Sequence, residues 1–139
     1  MRSIGYNEAA LERVQVRLGE RAQLVKWIVA DAANVEPTES YDLWHDRAAF
    51  HFLTEQEDIV HYVEALSGHV RPGGAVIMGT FSENGPDKCS GLTIRKYSEE
   101  SLSLVLSHYL NKIRCITVDH HTPFNTTQSF LFCGFRKPM

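Results

Sequence analysis

No run of apolar residues in this 139-residue chain approaches the roughly 18 needed to cross a bilayer as a helix. The opening Met1-Arg2-Ser3-Ile4-Gly5 also lacks the hydrophobic stretch of a secretory leader. The expectation is a soluble, unexported, cytoplasmic protein with no membrane partner. Cysteine is scarce: Cys89, Cys115 and Cys133 are the three, and no two stand at C-x-x-C spacing, so neither a zinc knuckle nor a vicinal redox pair is encoded. Cys115 and Cys133 fall in apolar, strand-like runs, where a reduced thiol is expected to pack as a small hydrophobe. An excess of positive charge is missing as well. With 14 Lys and Arg against 17 Asp and Glu, net charge −3, the chain has no electrostatic footprint for a phosphate backbone, and nucleic acid is excluded as the expected partner.

What is present reads as one globular domain spanning residues 1–139, without repeats, low-complexity tracts or an internal boundary. A chain of this size buries roughly 70% of its unfolded surface, so it can carry a core without staples. Leu11, Val14 and Leu18 recur on one helical face over Glu8 to Leu18, with Asn7 as cap and Gly19 as stop. Leu24 to Ala30 is a nearly continuous apolar run that suits a strand covered on both faces, with Asp31 at its end. Tyr41 to His45 reads as the next strand. Ile59, Val63, Leu66 and Val70 form one stripe of a helix over Glu55 to Val70, capped by Thr54.

Arg71-Pro72-Gly73-Gly74 stops that helix and turns the chain into a buried strand, Ala75 to Phe81. A polar loop follows. Ser98 then caps a helix carrying Leu102, Val105, Leu106 and Tyr109 on one face, with Glu99 and Glu100 in its first turn. Ile113 to Val118 and Thr127 to Phe135 are strands joined by a link too short for a crossover helix, so they should pair antiparallel. The pattern is a Rossmann-like α/β alternation that closes on a hairpin.

That order, with five local motifs, resembles the class I S-adenosylmethionine-dependent methyltransferase family, in the form typical of small-substrate members. Asn7-Glu8-Ala9-Ala10-Leu11 resembles the segment after the family's second strand, and Trp27-Ile28-Val29-Ala30-Asp31 its third strand with the terminal acid. The run from Tyr41 to Leu53 resembles the fourth strand and its turn. Leu66 to Phe81, with the Arg-Pro-Gly-Gly turn inside it, resembles the approach to the fifth, and Gly85 to Leu92 the loop beyond. The resemblance covers nearly the whole chain. A complete member begins with a helix and a first strand ending in a D-x-G-x-G-like loop that admits backbone amides to the methionine part of the cofactor. No such loop occurs here, and the acid that grips the ribose falls on Gly5.

The resemblance therefore implies an incomplete Rossmann-like methyltransferase sheet, its strands parallel except for the C-terminal hairpin and its central first strand missing. It implies S-adenosylmethionine as a weakly held cofactor and a small molecule as methyl acceptor. Asp31 and Ala32 match positions that meet the adenine; Asp31 is equally readable as a solvated strand-end acid. His45, Asp46 and Arg47 match the region near the methyl group and acceptor, with His45 also touching the cofactor. Their alternative is local structure: Asp46 capping the next turn and pairing with Arg47, and His45 a packed strand residue. No metal site is expected, because the adjacent His120 and His121 point to opposite faces of a strand. Two function classes follow: a methyltransferase that works when its missing half-site comes from elsewhere, or a non-catalytic, oligomeric binding module. Either way the exposed sheet edge should be covered, most simply in a homo-oligomer.

Overall fold

The computed structural model describes residues 2–5, 8–24, 26–29, 39–89 and 91–139. Strand β1 (Arg2–Gly5) is followed by helix α1 (Glu8–Leu18), a 3-10 turn and β2 (Lys26–Val29). Then come β3 (Tyr41–Arg47), helix α2 (Gln56–His69), β4 (Val70–Phe81), the short pair β5 (Lys88–Cys89) and β6 (Leu92–Thr93), helix α3 (Glu99–Leu106), and the hairpin β7 (Asn111–His121) and β8 (Thr127–Arg136). The apolar periodicity locates the helices well. α1 spans the expected residues and ends at Gly19, whose φ of +58° suits a glycine. Ser98 caps α3 in a reciprocal capping box with Ser101. For α2 the cap is Glu55 rather than Thr54, with no side-chain bond to the helix amides.

β1 and β2 pair in parallel in one small sheet, and β3, β4, β8 and β7 form a second in that order, with β3–β4 parallel and the other pairs antiparallel. Among the described residues, β1 and β3 are each paired on one side only. The Arg71 to Gly74 segment does not precede β4 but bulges out of it. Tyr41 already pairs with Val70, whereas Leu43 pairs with Ala75, so the four residues 71–74 stand opposite Asp42 alone and three extra residues leave the ladder at that point. Gly73, at φ +81°, supplies the bend.

The core lies between the larger sheet and its two helices. Ile59 and Leu66 of α2 and Leu102 and Leu106 of α3 are fully buried against Val76, Met78 and Phe135. Tyr109, expected on the apolar face of α3, stands 42% exposed beyond the helix end. Cys115 and Cys133 depart from the reduced thiols expected of them. They face each other across β7 and β8 and are joined in a disulfide, because the hairpin register sets them directly opposite. Among the described residues, no helix is long and apolar enough to cross a membrane.

Candidate functional site

The carboxyl ends of β3 and β4 carry His45, Asp46 and Arg47, and strand alternation sends them in two directions. His45 pairs with Ile77 and Arg47 with Gly79, on the sheet face turned away from α2 and α3; both side chains are exposed. The Arg47 guanidinium lies over the Phe130 ring, 5.4 Å from its centroid, which fixes a long cation beside the strand end. Phe130 stacks in turn on Phe132. Gly79 leaves room for this arrangement: a Cβ there would stand 2.6 Å from Phe132.

Asp46 points the other way and is buried, 5% exposed. Its carboxylate accepts from the amides of Ala49 (3.0 Å) and Phe50 (3.1 Å) and from the Tyr62 hydroxyl, which also accepts from Trp44 Nε1 at 3.0 Å. Burial pushes the Asp46 carboxyl up, while the Tyr62 hydroxyl and the two amides pull it back toward the charged form. Burial and the Asp46 charge raise the Tyr62 phenol well above its ordinary value. The arrangement ties the turn after β3 to helix α2. Between these residues, Ala48 adopts φ +60° and donates its N–H to Gly79 O at 2.8 Å, a left-handed kink in a residue with a side chain.

His51 completes the neighbourhood and was not singled out by the sequence. It is fully buried, and its Nδ1 accepts from the Phe81 amide at 3.1 Å, so the neutral ring carries its proton on Nε2. Desolvation lowers its pKa to about 4. Asp31 and Ala32 lie outside the described residues. His120 packs edge-on against Phe130, and His121 Nδ1 meets Thr127 Oγ1, so the two imidazoles do part to opposite faces.

No protein-family model and no curated protein matches the chain. Solved structures do. The N-methyltransferase NodS from Bradyrhizobium japonicum, solved with S-adenosyl-L-homocysteine, superposes with a TM-score of 0.78 at 17% identity, over 99% of this chain and 66% of that one. A 1,6-didemethyltoxoflavin N1-methyltransferase from Burkholderia thailandensis gives 0.71 at 16% identity, over 99% and 61%. An S-adenosylmethionine-dependent methyltransferase from Clostridium acetobutylicum gives 0.71 at 14%, over 99% and 75%.

The chain has the class I methyltransferase fold. It spans about two thirds of the length of the solved methyltransferases it matches. In this fold the break between the two sheets has a plain meaning: the order β2-β1, gap, β3-β4-β8-β7 is the methyltransferase order with its central strand left out. Gly5 ends β1, where the resemblance puts the ribose-binding acid. His45 and Arg47 share one open face at the carboxyl end of the sheet, whereas Asp46 belongs to the interior. Neither Tyr62 nor His51 could have been found by motif, because each acts through contacts 16 and 30 residues away in sequence.

Proposed function

We propose that this chain is a S-adenosylmethionine-dependent methyltransferase-like protein for a small-molecule acceptor, and that alone it is weak or inactive. The single observation that carries this reading is the open face at the ends of β3 and β4, where His45 and Arg47 stand side by side in a methyltransferase fold whose central strand is missing. His45 and Arg47 fit the acceptor side of the cofactor. The residues present do not fit its amino-acid tail, because no glycine-rich loop lies beside Gly5. The cofactor, when bound, supplies an electrophilic methyl group on a sulfonium. Arg47 orients the acceptor, His45 receives the proton an acceptor N–H or O–H gives up, and Asp46 positions their turn without touching the reacting atoms. Asp31 and Ala32 are assigned to the adenine. A cytoplasmic setting belongs to the same reading.

A second copy covers the unpaired edge of β3. Light scattering should therefore show mass rising with concentration; a concentration-independent monomer contradicts it. Calorimetric titration with S-adenosylmethionine should give weak or no binding to the isolated chain. Binding in the micromolar range would show that the donor site is complete without the glycine-rich loop.

A further inference from the structure

Helices α2 and α3 leave a groove between them. β3 and β4 are parallel and joined by α2, while β4 and β7 are each antiparallel to β8, so they too run in parallel and are joined by α3. Both helices are therefore crossovers that begin at the carboxyl ends of the strands. The groove has a volume of about 480 Å³, within the range of small-molecule sites. Buried Ile59 and Val63 make its floor, and Val60, Leu104 and Tyr109, exposed by 43%, 67% and 42%, flank it. One exposed apolar residue means little, but three around a hollow with an apolar floor form a surface that an apolar body can cover.

Arg95 lines the groove just ahead of α3, at the end where both helices begin. Two contacts fix it. Its amide donates to the His51 carbonyl at 2.8 Å, and its guanidinium lies over the Tyr97 ring, 5.2 Å from the centroid. Tyr97 is fully buried and stacked on Phe50, so the platform under the cation is part of the core. Neighbouring cations are matched, Lys96 by Asp87 at 2.7 Å and Lys112 by Glu99 at 2.8 Å. Among the described residues no carboxylate pairs with Arg95. Of the acids in the two first turns, Glu99 and Glu100 border a separate hollow beside Lys112, and Glu57 and Asp58 form no part of the groove walls. Glu64 borders the far end, about 12 Å along α2 from Gln56, near His108.

We propose that the groove between α2 and α3 binds an amphipathic monocarboxylate, a carboxylate head on an unbranched apolar chain of medium length. The head meets the planar fork of Arg95, which matches a carboxylate with two parallel hydrogen bonds. The chain lies over Ile59 and Val63, between Val60 and Leu104. Glu64 sets the direction, since it repels a head placed at the far end. His45 and Arg47 stand on the opposite face of the sheet, so the inference does not depend on methyl transfer.

The test titrates octanoate, hexanoate, octanol and octylamine into the full, isotopically labelled chain and follows its amides. Octanoate should bind at least about ten-fold more tightly than octanol or octylamine, because only a carboxylate answers Arg95. It should also bind about ten-fold more tightly than hexanoate, since its two further methylenes leave water. Shifts should gather at Val60, Arg95 and Leu104. Arg95→Gln should bring octanoate down to the level of octanol and leave octanol unchanged. Leu104→Glu, at an exposed position, should weaken octanoate about ten-fold while the thermal midpoint stays in place, which keeps the test decisive if Arg95→Gln fails to fold. Equal affinity for octanoate and octanol, indifference to chain length, no binding at millimolar concentration, shifts centred on His45 and Arg47, or unchanged octanoate binding by a folded Arg95→Gln chain would each overturn the proposal.

Discussion

Asp46 is held by three donors in a place where water cannot replace any of them. Truncating it strands the Ala49 and Phe50 amides and the Tyr62 hydroxyl, so Asp46→Ala should cost roughly 3 kcal/mol, against about 1 kcal/mol for Tyr62→Phe, which leaves the amide bonds intact. Urea denaturation of both variants checks the order. A catalytic Asp46 would instead show a lost rate with little lost stability. His51 gives a second expectation at this scale. Its ring stays neutral in the fold down to about 4, whereas the unfolded chain takes up a proton near 6.5. The unfolded state thus binds more protons in that window, so the contribution of His51 is complete above pH 6.5 and drains as pH falls toward 4, by up to about 3 kcal/mol. Stability measured at closely spaced pH values should fall through this range, and the His51 imidazole resonance should show no titration step near 6.5. A step there would contradict the buried, neutral ring. Asp46 as the cap of the following turn was legible in the sequence; its bond to Tyr62 and the burial of His51 were not, because those two are unremarked residues of a helix and a turn.

Elements were read far better than their junctions. α1 and the hairpin stand where period puts them and α3 where period and its Ser98 cap put it, since each is specified by residues within one or two turns of each other; Asn7, the expected cap of α1, lies outside the described residues. The Arg71 to Gly74 turn was read correctly as a helix stop and wrongly as preceding the strand, which already begins at Val70. Whether Val70 pairs with Tyr41 depends on a strand nearly 30 residues away, which no local pattern reports. The hairpin makes the same point. Cys115 and Cys133 were each recognisable as interior strand residues, but their pairing is a consequence of register, and register is a tertiary property. Closing a loop of 18 residues should stabilise the oxidised chain by about 3 kcal/mol in the chain-entropy account. Thermal melting with and without dithiothreitol tests this; a melting midpoint indifferent to the reductant would show that the two sulfurs are not bonded in solution.

At the scale of the whole molecule, the order of helices and strands was enough to indicate an α/β sheet ending in a hairpin, and the motifs around Tyr41 and Gly73 were enough to indicate the methyltransferase fold. The superpositions agree on the fold. The strand Arg2–Gly5 was implied only by alignment, because four residues are too few to display a period. The exposure of Leu43, Ile77 and Ile116 could not be read at all: alternation shows which residues share a face, not what lies upon it. The proposed reading rests on the ends of β3 and β4, where His45 and Arg47 share one exposed face of a sheet with the class I methyltransferase fold. Titrating S-adenosylmethionine into the isotopically labelled chain and following its amides tests that directly. The account predicts binding no tighter than millimolar, with shifts centred on His45 and Arg47. Micromolar binding, or shifts far from the ends of β3 and β4, would contradict it.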